Sequence, residues 1–356
     1  MNKYLVAGLM SGTSLDGLDI AVVEFRSNGN KWEFDLLDSI TEPYESDMED
    51  QLRRAHLLDG MELQRLDHTL GKLYGAKLQA FLTKTGLKPS LIASHGHTIF
   101  HQPEEGITLQ IGSGYQIMQQ TGIRTVLDFR SLDVALGGEG APLVPIGDRL
   151  LFGDYSFCLN LGGFSNISFE HDGNRVAFDI CPVNTVLNRL SNQLDMRYDA
   201  NGAVSRTGLL NEAIFKALNG LPYYDLAPPK SLGIEWVHEH IFPLLKEESS
   251  QNLLHTFSHH IAFQIASVIK SAANGNRSSK LLVTGGGAKN GFLIELLTEY
   301  VGNQIEVVVP DENIIDFKES IIFALLGLLR SLGQINTLAS VTGASRDSSG
   351  GLIIEI

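Results

Sequence analysis

The sequence has few cysteines, no excess of positive charge and no long apolar segment. Its 356 residues include two cysteines, Cys158 and Cys181, which argues against a disulfide scaffold and fits a reducing cytoplasm. The formal net charge is -14 and no basic run stands out, which disfavours nucleic-acid binding. No apolar run reaches the roughly 18 residues of a membrane helix. The N-terminus enters a predicted strand at once, so we expect no signal peptide.

What the sequence contains is typical of a two-domain globular enzyme. Hydrophobic residues make up 43% and charged residues 19% of the chain. This composition and length allow a large core, and two domains are the expected arrangement. There is no Walker motif, which excludes a P-loop kinase, although an acidic protein can still bind ATP through Mg²⁺ and local N–H groups.

The first half of the chain begins with two predicted strands joined by a turn of small polar residues. Tyr4–Ala7 and Ile20–Val23 are apolar, and the turn between them reads SGTSLDG from Ser11 to Gly17. Glycines let a phosphate approach the backbone, hydroxyls and N–H groups donate hydrogen bonds, and a carboxylate can hold a divalent cation. The alternative is an ordinary hairpin turn.

The second half opens in the same way. Ser156–Leu161 and Ile167–Glu170 are predicted strands around a turn at Gly162 and Gly163, and a third strand follows at Arg175–Ile180. We therefore expect two related lobes. The glycine-rich stretch at 128–145 favours a boundary there, with a first lobe at 1–132, a second lobe at 133–337, and the segment 338–356 packed back on the first.

Three long helices are predicted by periodicity and end signals. Asp59 with Glu62 resembles a capping box that opens a helix, and Gly86 ends it. Gln251–Ala273 is strongly periodic, and Glu319–Leu332 is largely apolar all round and so predicted to be buried.

Two groups of polar residues have open alternatives at this stage. Asp179 ends a predicted strand and is either a general base or the cap of a helix at Asn184–Leu194. His95, His97 and His101 are metal ligands or, as we favour, structural or substrate-binding residues, because no Cys or suitably spaced carboxylate joins them.

The glycine-rich segment Gly285–Gly291 also has two interpretations. It resembles a dinucleotide fingerprint, with Asp311 about 20 residues further on, but the sixth position is Asn290 instead of Gly. The alternative is a loop that lies against the adenosine of ATP. That interpretation makes this loop and the two earlier turns parts of one ATP site.

With these motifs in view, the chain resembles the anhydro-N-acetylmuramic acid kinase family of the actin, hexokinase and chaperone-ATPase superfamily. The resemblance covers nearly the whole chain, and its motifs follow in the family's order. They are SGTSLDGLD at Ser11–Asp19, SHGHT at Ser94–Thr98, TLQIG at Thr108–Gly112, TVLDFRSLDVALGGEGAPLVP at Thr125–Pro145, LNLGGFSNIS at Leu159–Ser168, PPKSLG at Pro228–Gly233, VTGGGAKN at Val283–Asn290 and VTGAS at Val341–Ser345.

The resemblance implies an α/β fold of two ribonuclease-H-like lobes, each a mixed sheet flanked by helices, with ATP and sugar in the interlobe cleft. It also implies a cytoplasmic homodimer that acts on ATP and an amino sugar. In the implied reaction, water opens the anhydro bridge and the freed oxygen takes the γ-phosphoryl group of ATP, which gives N-acetylmuramic acid 6-phosphate in cell-wall recycling.

The resemblance also implies roles for individual residues. Asp179 activates the water and Glu319 is a second catalytic carboxylate, while Arg130 and Asn184 bind substrate. Asp16 and Asp19 hold Mg²⁺ through water. The residues that contact ATP are Gly12, Thr13, Ser14, Asp16, Gly17, Asp19, Gly162, Gly163, Gly285, Gly286 and Gly287.

The chain departs from the family pattern beside Asp179. The family usually reads FDTGPGN where this chain has Phe178-Asp-Ile-Cys-Pro-Val-Asn184. Side chains at Ile180, Cys181 and Val183 are expected to stand where backbone approaches the phosphates or the sugar. A degenerate relative that binds ATP as a regulator, or that acts on another sugar, is the alternative function.

Overall fold

The computed structural model of the protein describes residues 2–12, 15–29, 31–246, 248–273 and 279–355. The strands in chain order are β1 (Asn2–Met10), β2 (Leu18–Asn28), β3 (Lys31–Glu42), β4 (Leu91–Ser94), β5 (His97–Gln102), β6 (Ile107–Ile111), β7 (Thr125–Leu127), β8 (Phe157–Leu161), β9 (Phe164–His171), β10 (Asn174–Pro182), β11 (Ser279–Thr284), β12 (Ile305–Val308) and β13 (Leu352–Ile354).

The α-helices in chain order are α1 (Ser46–Arg54), α2 (Gly60–Thr85), α3 (Gly114–Thr121), α4 (Ser131–Ala135), α5 (Val144–Leu151), α6 (Asn184–Asn192), α7 (Glu212–Asn219), α8 (Ile234–Trp236), α9 (Ser250–Ala272), α10 (Gly291–Val301), α11 (Glu312–Ser331) and α12 (Ala339–Thr342). No helix in the described ranges is long and apolar enough to cross a membrane.

The chain forms two compact units. Unit 1 comprises Met1–Leu151 and Phe317–Ile356, and unit 2 comprises Phe152–Asp316. The sequence-based boundaries after residues 132 and 337 differ from these. Helix α5 packs on α11 within unit 1, where a side chain at Gly147 would lie 2.6 Å from Ile322. The later boundary falls inside α11, because most of this helix packs on the sheet of unit 1.

Each unit contains a sheet, and the order of five strands is the same in both, while unit 1 has β13 as a sixth strand at its edge. In unit 1 the order is β13-β7-β4-β1-β2-β3, and in unit 2 it is β10-β9-β8-β11-β12. Each sheet starts with an antiparallel meander of three strands, and two further strands then run parallel to the first. The predicted α/β fold of two ribonuclease-H-like lobes with mixed sheets and flanking helices is confirmed.

Local sequence signals explain the long helix of unit 1. Asp59 accepts hydrogen bonds from the backbone of Met61 and Glu62, and Gly86 ends the helix with φ of 72°. The predicted capping box and glycine stop are therefore confirmed. The apolar face of α2 packs against β1 and β2 in the core of unit 1, where Leu70 and Tyr74 are fully buried.

Candidate active site

The glycine turn of unit 1 follows β1, and its described residues permit a close approach to the backbone. Gly17 has φ of 153°, and a side chain there would lie 2.4 Å from the carbonyl oxygen of Glu42. Glycine is therefore required at this position. Gly12 is half-buried at the start of the turn. The predicted phosphate ligands Thr13 and Ser14 lie outside the described residues.

The two carboxylates predicted to hold magnesium flank the end of this turn. Asp16 is exposed, and Asp19 lies on β2 opposite Met10. The Oδ1 atom of Asp19 accepts a hydrogen bond from the Thr41 hydroxyl over 2.5 Å. In the part of the chain that the structure describes, no cluster of three or more His, Cys, Asp or Glu side chains could hold a metal ion. A pair of carboxylates fits Mg²⁺ that keeps several of its waters.

Arg130 and His95 form a polar pair in unit 1. The Arg130 Nε and Nη2 atoms donate to His95 Nε2 over 3.1 and 2.9 Å, and Nη1 donates to the Gly140 carbonyl over 2.7 Å. Since Nε2 of His95 accepts, its proton is on Nδ1, which donates to the Gly96 carbonyl over 3.0 Å. Burial, and next the charge of Arg130, lowers the pKa of His95 well below its usual value. His95 is therefore a neutral acceptor that orients Arg130.

Glu319 lies on α11 and interacts electrostatically with Arg130. The residue is exposed, but partial desolvation of its carboxyl raises the pKa. The charges of Arg130 and Lys318 act in the opposite direction. Burial in turn lowers the pKa of Arg130 to about 10, although Glu319 acts in the opposite direction. The structure thus brings two predicted site residues, Arg130 and Glu319, into electrostatic contact.

The glycine turn of unit 2 is tied to the start of α6. The Gly163 carbonyl accepts from Val183 N–H over 2.8 Å, and the Gly162 carbonyl accepts from Asn184 N–H over 3.2 Å. The Asn184 side chain also donates to the carbonyl of Leu161 over 3.2 Å. The turn is therefore held in a fixed conformation beside a helix N-terminus.

The glycine loop after β11 lies beside this turn. A side chain at Gly285, which has φ of 80°, would lie 2.5 Å from Asn160 Oδ1. One at Gly287 would lie 2.7 Å from the Leu161 side chain and 3.6 Å from Asn184 Nδ2, while one at Gly286 would lie 3.8 Å from that same nitrogen. The structure thus brings the loop Gly285–Gly287, the second glycine turn and Asn184 together in unit 2.

Asp311 has a structural partner that the dinucleotide interpretation does not need. Its Oδ1 accepts a hydrogen bond from Ile314 N–H over 3.1 Å, at the start of α11. The residue therefore acts as a helix cap. Its spacing from the glycine loop has this local explanation.

Asp179 lies on β10 beside an irregularity of the sheet. The pairing with β9 shifts register between Asp179 and Cys181, and such a bulge re-aims the side chains next to it. A distant loop holds the residue at three points. Its Oδ2 accepts from Leu232 N–H over 3.0 Å, its carbonyl accepts from the Tyr223 hydroxyl over 2.7 Å, and its N–H donates to the Lys230 carbonyl over 3.2 Å.

The two oxygens of the Asp179 carboxylate have different surroundings. Oδ2 is fixed, while Oδ1 has no hydrogen-bond partner among the described residues. Burial raises the pKa of Asp179, and the Leu232 N–H acts in the opposite direction. The alternative role as a helix cap is wrong, because the N-cap position of α6 is Val183.

The residues that depart from the family pattern are buried. Ile180, Cys181 and Val183 are at most 1% exposed and pack in the hydrophobic core of unit 2. Ser165 holds the strand there, since its hydroxyl donates to the Cys181 carbonyl over 3.0 Å. Burial raises the pKa of the Cys181 thiol to about 12, so the thiol stays protonated. The expected projection of these side chains towards a ligand is not what the structure has.

Sequence reasoning missed the partners of Asp179 and Arg130. The PPKSLG motif contains Leu232, but the role of this residue rests on its backbone N–H, which no side-chain pattern reveals. Tyr223 lies outside all of the family motifs quoted above. His95 belongs to the histidine cluster of the sequence, but its hydrogen bonds with Arg130 depend on the packing of two distant segments.

Two solved structures illustrate the similarity of the chain to known structures, which is at low sequence identity. An activator of 2-hydroxyisocaproyl-CoA dehydratase from Clostridium difficile with bound ADPNP has a TM-score of 0.44 and 12% identity, covering 91% of this chain and 94% of that one. A ROK family glucokinase from Streptomyces griseus in complex with glucose and AMPPNP has a TM-score of 0.40 and 11% identity, covering 91% and 99%.

Sequence comparisons show the family directly. The family described as "Anhydro-N-acetylmuramic acid kinase" matches residues 3–355. A relative of that name from Shewanella loihica is 36% identical, with 98% of each chain covered. Another from Mannheimia succiniciproducens is 35% identical, with 99% of each covered. The chain belongs to the anhydro-N-acetylmuramic acid kinase family.

Proposed function

We propose that the protein is an ATP-dependent kinase that converts anhydro-N-acetylmuramic acid to N-acetylmuramic acid 6-phosphate during cell-wall recycling. Relatives named anhydro-N-acetylmuramic acid kinase match the chain over nearly its full length. The observation that carries the proposal is the carboxylate of Asp179, with one oxygen held by Leu232 N–H and the other open. A base in this state can take a proton from water.

The first half of the reaction uses Asp179. Its Oδ1 takes a proton from a water molecule, and the water oxygen forms a bond to the anomeric carbon. The bond from that carbon to the bridging oxygen then breaks, and the electron pair stays on the bridging oxygen. Arg130 binds the lactyl carboxylate of the sugar, and Glu319 is a second carboxylate beside the sugar. Asn184 fixes the substrate on unit 2.

The second half is phosphoryl transfer. The freed oxygen bonds to the γ-phosphorus of ATP as the bond to the β-phosphate breaks, and ADP leaves. The protein supplies position and charge neutralisation for this step. Backbone N–H groups at Gly12 and Gly17 in unit 1, and at Gly162 and Gly163 in unit 2, bind phosphates, and Thr13 and Ser14 are further proposed ligands. The loop Gly285–Gly287 lies against the adenosine.

A magnesium ion would supply charge neutralisation on the phosphates. Asp16 and Asp19 are the carboxylates that would hold it, through its waters. The family resemblance also supports a cytoplasmic homodimer, which we include in the proposal.

Sugar-dependent ATP turnover tests this function. Purified protein with Mg-ATP is expected to release ADP only when anhydro-N-acetylmuramic acid is added, with a phosphorylated sugar formed in equal amount. ADP release that ignores the sugar, or ATP binding without turnover, would contradict the proposal, and the latter result would favour the regulatory alternative.

The acid side of the pH profile is expected to report Asp179. A general base works only when deprotonated, so kcat/KM for the sugar should fall as the pH drops through a pKa above the ~3.9 of an ordinary Asp. Burial of Asp179 is the physical cause of that higher pKa. The pKa of Glu319 is also raised, so Glu319→Gln is the control. The acid limb should persist in that variant, and its loss would assign the titration to Glu319.

A further inference from the structure

Four buried side chains form a hydrogen-bond chain where β1 ends. The Ser11 hydroxyl lies 3.0 Å from His97 Nδ1, the Tyr44 hydroxyl donates to Ser11 Oγ over 2.6 Å, and the hydroxyls of Tyr44 and Tyr74 are 2.9 Å apart. All four residues are buried. None of the steps proposed for the reaction uses this hydrogen-bond chain.

Every hydroxyl hydrogen of this hydrogen-bond chain can find an acceptor if all the hydroxyls donate towards His97. Each hydroxyl carries a single hydrogen. If His97 Nδ1 accepts, Ser11 donates to it, Tyr44 donates to Ser11, and Tyr74 donates to Tyr44. If Nδ1 carries a proton, the hydrogen of Ser11 or of Tyr74 has no acceptor among the described residues. The arrangement therefore favours a neutral His97 with an unprotonated Nδ1.

The groups around His97 agree with a neutral ring. Burial alone lowers the pKa of His97. The nearby His95 is itself neutral, because it accepts hydrogen bonds from Arg130. The hydroxyls of Tyr44 and Tyr74 stay protonated, since burial raises both pKa values.

The hydrogen-bond chain is connected to the start of the phosphate turn. Ser11 directly precedes Gly12. On the histidine side, β4 runs parallel to β1 with Ser94 beside Leu9, and the His95 N–H donates to the Leu9 carbonyl over 3.0 Å. Two neighbouring strand ends are thus linked both through the backbone and through the bond from Ser11 to His97.

We propose that His97 is a positioning residue whose unprotonated Nδ1 fixes Ser11, and with it Gly12, for binding the phosphates of ATP. This inference rests on the proposed function of the turn. Protonation of Nδ1 removes the acceptor, so the position of Ser11 is lost in acid. His97 does not touch the reacting atoms in this account.

Two variants of nearly equal shape separate the hydrogen bond from packing. In His97→Asn the side-chain oxygen lies close to the position of Nδ1 and accepts at every pH, whereas His97→Leu fills similar space without an acceptor. ATP affinity is to be measured by calorimetry above and below the ~6.5 of an ordinary His. Above it, His97→Leu should bind ATP about tenfold more weakly than wild type, the effect of one hydrogen bond, and His97→Asn should bind within about threefold.

Below that pH, wild type should lose affinity relative to His97→Asn. Comparison of wild type with His97→Asn at the same pH removes the effect of protonation of ATP itself. If His97→Leu binds as tightly as wild type, the inference is overturned while the function of the turn stands. If wild type binds no ATP at any pH, the proposed function fails instead.

Unfolding measurements give a second readout that does not involve ATP. A folded pKa below the unfolded one gives stability that is present above ~6.5 and lost as the pH falls. The urea midpoint of wild type should therefore fall more on acidification than that of His97→Asn. Equal slopes for the two proteins, or an NMR spectrum that places the proton on Nδ1 at neutral pH, would overturn the inference.

Discussion

Replacing Asp179 with Asn is expected to lower kcat for sugar-dependent ADP release by about 10²- to 10⁴-fold, the usual contribution of a general base. The amide cannot take a proton from water, but its oxygen can still accept from Leu232 N–H, as the carboxylate does. The substitution therefore keeps the position of the side chain at residue 179 and removes its ability to act as a base. ATP should still bind, because no proposed phosphate contact involves this residue, and calorimetry with ATP alone checks that.

The matched control is Asp195→Asn, the same change at an exposed site. Asp195 has φ of 57°, a conformation that Asn tolerates well. This variant should keep full activity. Full activity in Asp179→Asn would remove Asp179 from the mechanism, whereas loss of ATP binding would mean that the substitution disturbs unit 2 as a whole.

Replacing Lys318 with Met is expected to lower the free energy of unfolding by about 3–5 kcal/mol, as removal of one partner of a buried ion pair does. Lys318 Nζ lies 2.7 Å from Asp148 Oδ1, and the two side chains are only 7% and 4% exposed. The substitution takes one positive charge away from a carboxylate that water scarcely reaches. Urea unfolding followed by circular dichroism measures the change.

A second Lys–Asp pair of equal length provides the control. Lys289 Nζ also lies 2.7 Å from a carboxylate oxygen, that of Asp316, but these side chains are 44% and 40% exposed. Lys289→Met should cost at most about 1 kcal/mol, because water screens the pair. Equal effects of the two substitutions would show that burial does not decide the strength of the Lys318–Asp148 pair.

The sequence predicts the elements whose signals are local. The strands of both meanders follow from short apolar segments bounded by glycine turns, and α2 follows from Asp59 at its start and Gly86 at its end. The glycine at position 17 is explained by its positive φ and its close approach to Glu42. Local rules suffice for α2 because its capping contacts lie within a few residues of one another, whereas the contact of Gly17 with Glu42 joins two distant positions and is visible only in the structure.

The sequence is less informative where the determining contacts are distant or made by the backbone. The helix predicted to begin at Glu319 in fact begins at Glu312, with Asp311 as its cap. The apolar pattern is regular only further along the helix, so it does not reveal the first turns. The three hydrogen bonds that hold Asp179 come from the segment 223–232, which is far from Asp179 in the sequence. Whether Ile180 and Val183 face a ligand or the core depends on the twist and bulge of β10, which periodicity does not reveal.

The origin of the oxygen added to the sugar tests the coupled reaction most directly. Turnover of anhydro-N-acetylmuramic acid with Mg-ATP in water labelled with heavy oxygen, followed by mass spectrometry of the fresh product, locates that oxygen. We expect one labelled oxygen on the anomeric carbon and an unlabelled phosphate group, because water opens the bridge and the freed sugar oxygen takes the phosphoryl group. A labelled phosphate, or a phosphorylated product with the anhydro bridge intact, would contradict this mechanism.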